Sequence, residues 1–233
     1  MDTKLEKISL VPALPVSAPT SPILCRVAVL GNGSVGKTCI VHHFSTSNFL
    51  TESYPTIGAA FKTFTIPINE KLIELHIFDC AGQERFNTLL PLYLRGVSSV
   101  ILVYSVDDLA SQSDILKRWN DFILGHPIDS IYLVGNKNDL LKDSETQLSS
   151  PFITSCCNTL KQHPDLKRLH VFSTSAKTGS GIDNLFFQIA EDCYLKNVDS
   201  LPDDIVCQKS LTLTNNSNSV GRQWKLPSMC CTS

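Results

Sequence analysis

Short apolar segments alternate along this chain with segments whose apolar residues recur every three or four positions. The first pattern is typical of buried strands and the second of amphipathic helices. Six strands are predicted, at Arg26–Leu30, Ala60–Asn69, Leu72–Phe78, Ser98–Tyr104, Ile131–Gly135 and Leu169–Phe172. Four helices are predicted, at Cys39–Phe44, Gln112–Leu124, Pro151–Gln162 and Ile182–Leu195. This alternation predicts an α/β fold, in which a single domain holds a mostly parallel sheet with helices on both faces.

The second and third strands are expected to form the antiparallel part of that sheet. The short turn at Asn69-Glu70 that connects them favours a hairpin. Pro67 cannot donate a backbone hydrogen bond, so the second strand is expected at the edge of the sheet. His76 alternates with apolar neighbours and is interpreted as a solvent-facing strand residue rather than a ligand.

Composition divides the chain into a folded part and two tails. Four prolines within residues 1–22 predict a disordered N-terminal arm, and residues 196–233 lose apolar periodicity and predict a flexible tail. The domain is therefore expected over residues 23–195. A net charge of −2 gives no reason to expect a nucleic acid partner. With no apolar run near the ~20 residues of a membrane span and no signal peptide, the chain is expected in the cytosol, with its cysteines as thiols.

The segment from Gly31 to Thr38 fits the phosphate-binding pattern G-x-x-x-x-G-K-[ST]. It follows the first strand and precedes the first helix, which is the order of a P-loop NTPase fold. Its glycines allow successive N–H groups to face a polyphosphate, and the helix N-terminus adds positive potential. Lys37 can reach the terminal phosphates, and the Thr38 hydroxyl can ligate Mg²⁺. A glycine-rich turn without function is the alternative, which the eight matching residues disfavour.

Asp79-Cys80-Ala81-Gly82-Gln83 follows the hairpin's second strand. An aspartate at a strand end that faces a phosphate loop can hold Mg²⁺, usually through water. Gly82 permits a close approach to a γ-phosphate, and Gln83 is then placed to orient an attacking water. Alone this pattern is weak, but it gains weight from the phosphate loop upstream.

Asn136-Lys137-Asn138-Asp139 follows the fifth strand and fits the pattern NKxD. The Asp139 carboxylate can accept hydrogen bonds from N1–H and the exocyclic amine of guanine, a donor pair that adenine lacks. Ser175-Ala176-Lys177 follows the sixth strand, and its backbone is expected to face the base. A polar turn is the alternative interpretation of each motif taken by itself.

The chain resembles a small GTPase of the Ras superfamily in the order of five motifs, which are GNGSVGKT, PTIGAAF, DCAGQERF, GNKNDL and STSAK. Within that superfamily it is most similar to the Rab branch. The segment IGAAF is most similar to early-endosomal Rabs. The resemblance implies that Thr56 ligates Mg²⁺ and contacts the γ-phosphate, and that residues 79–95 form a second switch. It also implies that Phe61, Phe78 and Tyr93 face effectors, although packing in the core or along the strand is an equally favoured interpretation for Phe61 and Phe78. It assigns Gln83 and Lys37 to catalysis and Thr38, Thr56 and Asp79 to Mg²⁺, Asp79 through water. The GTP-binding set is Gly33, Ser34, Val35, Gly36, Lys37, Thr38, Cys39, Thr56, Gly82, Asn136, Lys137, Asp139, Ser175, Ala176 and Lys177.

Cys230 and Cys231 are expected to carry two prenyl groups, since two chains anchor a protein stably where one does not. A CaaX box beginning at Cys230 remains an alternative, as does chance, because Cys156 and Cys157 are also adjacent.

The sequence as a whole predicts a Rab-like switch that binds GTP or GDP with Mg²⁺ and hydrolyses GTP. It would recruit effectors at the cytoplasmic face of endosomes or vesicles. The expected partners are an exchange factor, a GTPase-activating protein, a GDP-dissociation inhibitor or escort protein, and effectors, with the chain itself a monomer. Gly33 leaves room for an arginine supplied by the activating protein. Two rivals remain at this point: a nucleotide-bound scaffold with little turnover, and a P-loop kinase.

Overall fold

The computed structural model describes residues 21–51, 54–86, 88–141 and 150–199. A six-stranded sheet runs through the domain in the order β2–β3–β1–β4–β5–β6. Within the described residues, β2 and β3 pair antiparallel and the other neighbours pair parallel. The strands are β1 (Ile23–Leu30), β2 (Ala59–Ile68), β3 (Lys71–Cys80), β4 (Ser99–Ser105), β5 (Ser130–Asn136) and β6 (Arg168–Ser173).

The helices connect these strands in the alternation that the sequence predicts. They are α1 (Lys37–Thr46), α2 (Leu90–Leu94), α3 (Leu109–Asp114), α4 (Asn120–Leu124), α5 (Pro151–Leu160) and α6 (Ile182–Asp199). A π-helical turn (Ile115–Trp119) joins α3 to α4, and we call this continuous run the α3–α4 helix. Short 3₁₀ turns occupy Glu84–Phe86 and Asn138–Leu140.

Two apolar clusters cover the two faces of the sheet. The first joins sheet residues such as Val27 and Ile101 to residues of α1 and α6, including Ile40 and Phe186. The second joins the opposite face to α2, the α3–α4 helix and α5, with the fully buried Trp119 among its members. Removal of these side chains from water is the main stabilising contribution to such a layered domain. The expected architecture, with helices on both faces of a mostly parallel sheet, is confirmed.

The hairpin agrees with the sequence prediction in its details. β2 lies at the edge of the sheet, where Pro67 is opposite Leu72 and no further strand needs its missing N–H. His76 is partly exposed, and its Nε2 lies 2.6 Å from Glu74 Oε1 on the same strand. The face of β3 that carries Ile73 and Ile77 is buried.

All four predicted helices differ from the structure in their bounds, and the sequence pattern does not predict α2. Helix α1 extends beyond Cys39–Phe44 at both ends, and α5 ends at Leu160 rather than Gln162. The helix predicted from Gln112 begins at Leu109, because the Asp108 side chain caps it by accepting a hydrogen bond from the Ala110 amide at 3.0 Å. Leu109 is 79% exposed, so apolar periodicity could not mark this first turn. The last helix is predicted to end at Leu195 but continues to Asp199, and Lys196 pairs there with Asp129.

Several expectations fall outside the described residues. These are most of the N-terminal arm (residues 1–20), the tail from residue 200 onward, and the pair Cys230 and Cys231. In the part of the chain that the structure describes, no helix has both the length and the apolar character needed to cross a membrane.

Candidate functional site

The motifs that the sequence singles out meet at one edge of the sheet. The segment Gly31–Thr38 follows β1, Asp79 lies near the end of β3, Asn136 ends β5, and Ser175 follows β6. Because β1, β3, β5 and β6 run parallel within the sheet, their carboxyl ends lie on the same side. Open α/β sheets bind ligands at this edge.

The loop between β1 and α1 has backbone conformations that explain its glycines. Gly31 has φ +143° and Gly36 has φ +96°, values that residues with a Cβ rarely adopt. A Cβ on Gly31 would lie 2.1 Å from the Val103 carbonyl oxygen, so no side chain fits there. Ser34 also has a positive φ, of 62°. The loop is thus a strained turn that leads directly into the N-terminus of α1, a geometry suited to an anion.

Lys37 begins α1 and is almost fully buried beneath this loop. Its Nζ donates to the Gly31 carbonyl at 2.9 Å and to the Asn32 carbonyl at 2.6 Å. Burial lowers the pKa of Lys37 to about 8, an effect that the Asp79 carboxylate opposes and the Arg118 guanidinium increases. A buried ammonium with few negative neighbours would be stabilised by an added anion.

Thr38, Thr56, Asp79 and Gln83 form what we call the β1–β3 cluster. Thr38 Oγ1 donates to Asp79 Oδ2 at 2.6 Å and lies 3.1 Å from Thr56 Oγ1. Burial raises the pKa of the Asp79 carboxyl, while the hydrogen bond from Thr38 and the charge of Lys37 act against it. Among the described residues, Asp79 Oδ1 and Gln83 Oε1 are buried without a hydrogen-bond partner.

The residues of the β1–β3 cluster fit a hard divalent cation. Two hydroxyls and a carboxylate come together from three different segments, and every donor is oxygen, which is what Mg²⁺ prefers. The unpartnered Asp79 Oδ1 is the kind of buried atom that a bound ion or its water would satisfy.

Gly82 and Gly33 both lie next to segments that carry the site, and they differ in the space around them. A Cβ on Gly82 would lie 2.4 Å from the Asn32 carbonyl carbon, so the Gly82 backbone packs directly against the phosphate loop. By contrast, the nearest atom to a Cβ on Gly33 would be Gln83 Cγ, at 3.9 Å. Space therefore remains at Gly33, beside Gln83.

Asn136, Asp139, Ser175 and Ala176 form a second group, the β5–β6 cluster. Asn136 Nδ2 donates to the Val35 carbonyl at 2.8 Å, and Asn136 Oδ1 accepts from the Ala176 amide at 3.1 Å. Ser175 Oγ donates to Asp139 Oδ1 at 2.6 Å. These bonds connect the ends of β5 and β6 to the phosphate loop, and they leave the Asp139 side chain at the surface.

The remaining predicted site residues lie around the two clusters. Val35 is buried, Cys39 is half-buried, and burial raises the pKa of the Cys39 thiol. Lys137 has a positive φ of 67°, and its Nζ lies 3.4 Å from Asp107 Oδ1. Lys177 is exposed. The structure thus brings the predicted residues of the described segments to one edge of the sheet.

The three aromatic residues expected to face effectors lie at the β2–β3 side of the domain. Phe61 is 56% exposed, and its ring centroid is 5.3 Å from that of Phe78. Phe78 and Tyr93 are each partly buried. Tyr93 Oη would lie 3.0 Å from a Cβ on Gly58, close to the segment that precedes β2.

Sequence analysis missed two sets of contacts to this site. Asn32, Asp114, Arg118 and Trp119 connect the α3–α4 helix to the phosphate loop and to Gly82. In addition, His43 Nδ1 lies 2.8 Å from the Ala176 carbonyl oxygen. Helical periodicity marked Trp119 only as a core residue, and no motif signals a partner more than eighty positions away.

Comparison with known proteins agrees with this geometry. The family model described as "Ras family" matches residues 26–195. The chain is 36% identical over 210 residues to the Ras-related protein RAB1BV of Beta vulgaris, covering 89% of this chain and 93% of that protein. It is 38% identical to RABE1e of Arabidopsis thaliana over 72% of this chain and 74% of that protein. It is 33% identical to Rab-8B of Dictyostelium discoideum over 84% and 92% respectively. The chain therefore belongs to the Ras family of GTP hydrolases, as a small GTPase of its Rab branch.

Proposed function

We propose that this chain is a switch in membrane trafficking that binds GTP with Mg²⁺, hydrolyses it slowly, and recruits effectors in the GTP-bound state. The observation that carries the proposal is the Thr38 hydroxyl, which lies 2.6 Å from Asp79 and 3.1 Å from Thr56. Thr56 belongs to the segment before β2, and Asp79 to the end of β3. An ion held at this point would therefore tie two separate surface segments to the phosphates.

Guanine selectivity is proposed to come from Asp139, within the β5–β6 cluster. The carboxylate accepts from N1–H and the exocyclic amine of the base, and Ser175 fixes its orientation through the 2.6 Å hydrogen bond. Asn136, Lys137 and the backbone at Ala176 are proposed to complete the contacts on this side. Adenine lacks this donor pair, and loss of hydrogen bonds that a site is built to make costs far more affinity than a missing apolar contact.

Hydrolysis is proposed to proceed by in-line attack of water on the γ-phosphate. Gln83 orients the water, since its Oε1 has no partner among the described residues and can accept one of the water's protons in a hydrogen bond. Lys37 exchanges its two carbonyl partners for phosphate oxygens and stabilises the charge that develops on them. Mg²⁺ held by Thr38, Thr56 and Asp79 would supply further neutralisation of the phosphates.

Loss of the γ-phosphate removes contacts to Thr56 and Gly82, so the segments that contain them can relax. The two nucleotide states would then bind different partners, which are effectors, an exchange factor, an activating protein and a GDP-dissociation inhibitor. Phe61, Phe78 and Tyr93 would contact the effectors. The open space at Gly33 would admit an arginine from the activating protein. Prenyl groups on Cys230 and Cys231 would hold the chain at the cytoplasmic face of endosomes or vesicles.

Nucleotide displacement tests the central part of this proposal. Purified protein loaded with a fluorescent guanine nucleotide should release it to excess GTP or GDP but not to excess ATP, and removal of Mg²⁺ with a chelator should accelerate the release. Phosphate release should then separate a working hydrolase from a scaffold without turnover. Equal displacement by ATP would overturn the proposal.

The membrane part needs a separate experiment. A fluorescent fusion should be found on internal membranes of cells, and a Cys230→Ser/Cys231→Ser double variant should be diffuse. Cys207→Ser, which removes a different cysteine of the tail, is the matched control and should behave as the wild type. Membrane localisation of the double variant would contradict the proposed anchor without affecting the nucleotide site.

A further inference from the structure

Side chains of the α3–α4 helix contact two neighbouring segments of the candidate site, the phosphate loop and the peptide that precedes Gln83. Trp119 Nε1 donates to Asn32 Oδ1 at 2.9 Å, and Asn32 Nδ2 donates to Asp114 Oδ2 at 2.7 Å. From the same helix, Arg118 Nη1 donates to the Gly82 carbonyl at 3.3 Å. Asn32 belongs to the phosphate loop, and Gly82 directly precedes Gln83. One helix therefore holds the loop and the segment that carries the proposed water-orienting residue.

The Arg118 guanidinium is positioned by its own surroundings. Its Cζ lies 4.4 Å from the centre of the Trp119 ring, which is 1% exposed and packed in the core. A planar guanidinium stacks well on an indole, and the stack limits the freedom of a side chain that would otherwise be mobile. Arg118 is thus a constrained donor, and the position of its hydrogen bond to Gly82 is set by the core.

A hydrogen bond to the Gly82 carbonyl restricts the position of the next residue, Gln83. The peptide unit between Gly82 and Gln83 is planar, so the direction of its C=O also fixes the Gln83 N–H and restricts the position of the Gln83 Cα. A cavity of about 550 Å³ lies between the helix, the loop and this peptide, with Gly33, Gln83 and Arg118 in its lining. The Gly82–Gln83 peptide borders this space, and its hydrogen bond to Arg118 restrains it there in addition to the backbone hydrogen bonds that Ala81 donates to Gly58 and Phe86 donates to Gln83.

We propose that Arg118 is a positioning residue for GTP hydrolysis, which holds the Gly82–Gln83 peptide so that Gln83 orients the attacking water. The proposal rests on the role proposed above for Gln83. Arg118 acts through the backbone of the switch segment and needs no contact with the nucleotide. Misplacement of a catalytic group by about 1 Å can cost a factor of about 100 in rate, which sets the scale of the effect.

The alternative is that Arg118 only packs on Trp119. In that case its removal would lower the stability of the protein, and nucleotide affinity and hydrolysis would change together or not at all. A positioning residue predicts a different result, in which single-turnover hydrolysis falls while GTP and GDP affinities stay constant. The two interpretations are therefore separated by measuring both quantities on the same protein.

The variants are Arg118→Ala, Arg118→Lys and, as the matched control, Lys117→Ala, which removes the adjacent exposed cation from the same helix. Arg118→Ala should slow single-turnover GTP hydrolysis roughly 10- to 100-fold, with both nucleotide affinities within about twofold of wild type. Arg118→Lys restores a donor but not the planar stack, so it should recover part of the loss. Lys117→Ala should hydrolyse GTP at the wild-type rate.

A double-variant cycle tests whether Arg118 acts through Gln83. In a Gln83→Leu background, Arg118→Ala should slow hydrolysis by less than about twofold, because the side chain that it positions is already absent. Full additivity of the two effects would overturn the proposal. Unchanged hydrolysis in Arg118→Ala would overturn it as well, as would a parallel loss of nucleotide affinity.

The outcomes also distinguish this inference from the function on which it rests. If Gln83→Leu slows hydrolysis and Arg118→Ala does not, only the role of Arg118 fails. If Gln83→Leu has no effect, the proposed hydrolysis mechanism itself fails. Should Arg118→Ala be too unstable to purify, Arg118→Lys alone decides: hydrolysis reduced at least threefold with unchanged affinities supports the proposal, and the wild-type rate refutes it.

Discussion

The two clusters of the candidate site differ in how well their polar atoms are satisfied by the protein itself. In the β5–β6 cluster, Asn136 bonds to the Val35 carbonyl, the Thr174 hydroxyl and the Ala176 amide, and Ser175 bonds to Asp139. In the β1–β3 cluster, Asp79 Oδ1 and Gln83 Oε1 are buried without partners within the described part of the chain. The protein itself hydrogen-bonds the side chains of Asn136 and Ser175, whereas Asp79 and Gln83 each retain a buried oxygen without a partner among the described residues.

This difference corresponds to two tasks within one site. Selection of a base requires fixed acceptors in a fixed arrangement, because discrimination depends on penalties for wrong partners. A switch requires the opposite, since its contacts must depend on whether the γ-phosphate is present. Under the proposed function, the β5–β6 cluster would supply specificity, and the β1–β3 cluster would report the state of the nucleotide.

Asp139→Asn is expected to have the largest effect on binding. The amide presents a donor where guanine also has one, so affinity for GTP should fall by a factor on the order of 10⁴, while affinity for xanthosine triphosphate should rise. Competition binding against a labelled nucleotide measures both. The control is Asp165→Asn, an exposed aspartate on the loop before β6, which should bind as the wild type does. Retention of the guanine preference would remove Asp139 from the proposed base contacts.

Gln83→Leu tests the β1–β3 cluster and should change rate without changing affinity. A leucine of similar size keeps the packing of the segment but cannot orient water, so single-turnover GTP hydrolysis should fall by roughly 10²-fold. Affinities for GTP and GDP should remain within about twofold, because Gln83 is proposed to act only in the transition state. Phosphate release at saturating enzyme measures the step. An unchanged rate would show that the water is held by another group.

Asn136→Ala and Asp79→Asn compare the clusters in the nucleotide-free protein. Loss of Asn136 leaves a buried carbonyl and a buried amide unpaired, which should lower the free energy of unfolding by about 3 kcal/mol. Asp79→Asn keeps an acceptor for Thr38 and removes a buried charge, so it should cost less than about 1 kcal/mol. Urea denaturation measures both, with the exposed Asn158→Ala as the control. Equal losses would mean that the two clusters do not differ as described.

The sequence predicted the location of the site better than its internal bonding. Apolar patterning and the expected parallel connections place Gly31, Asp79, Asn136 and Ser175 at the carboxyl ends of strands, and therefore at one edge, although they do not give the strand order. Each motif can be recognised from a few consecutive residues, because each is a loop that directly follows a strand. Apolar periodicity therefore suffices for the fold class and for the placement of the motifs.

The contacts of the α3–α4 helix could not be predicted in this way. Asn32 and Trp119 are 87 positions apart, and neither residue type by itself signals the other. The first turn of α3 was missed for a related reason, because a capping aspartate rather than an apolar stripe sets its start. Side-chain hydrogen bonds between distant segments depend on packing angles and rotamers, which residue patterns do not specify.

Lys37 gives an effect that depends on pH and has a specific sign. Because burial lowers its pKa from the ordinary 10.5 to about 8, the folded nucleotide-free protein binds fewer protons than the unfolded chain between those two pH values. Its unfolding free energy should therefore rise with pH across this window, by about 2 kcal/mol between pH 7 and pH 9.5 from Lys37 alone. Below pH 8 lysine is protonated in both states and the cost of burying its charge is fully present.

Lys37→Met isolates this contribution, since it keeps the length of the side chain and removes the titrating group. The difference in unfolding free energy between wild type and variant should change in favour of the wild type as pH rises through 8, and it should be flat between pH 6 and pH 7. Urea denaturation at several pH values measures it. A difference that stays constant up to pH 9.5 would mean that protein groups already stabilise the buried Lys37 ammonium in the nucleotide-free state. The phosphates would then not be needed to neutralise its charge.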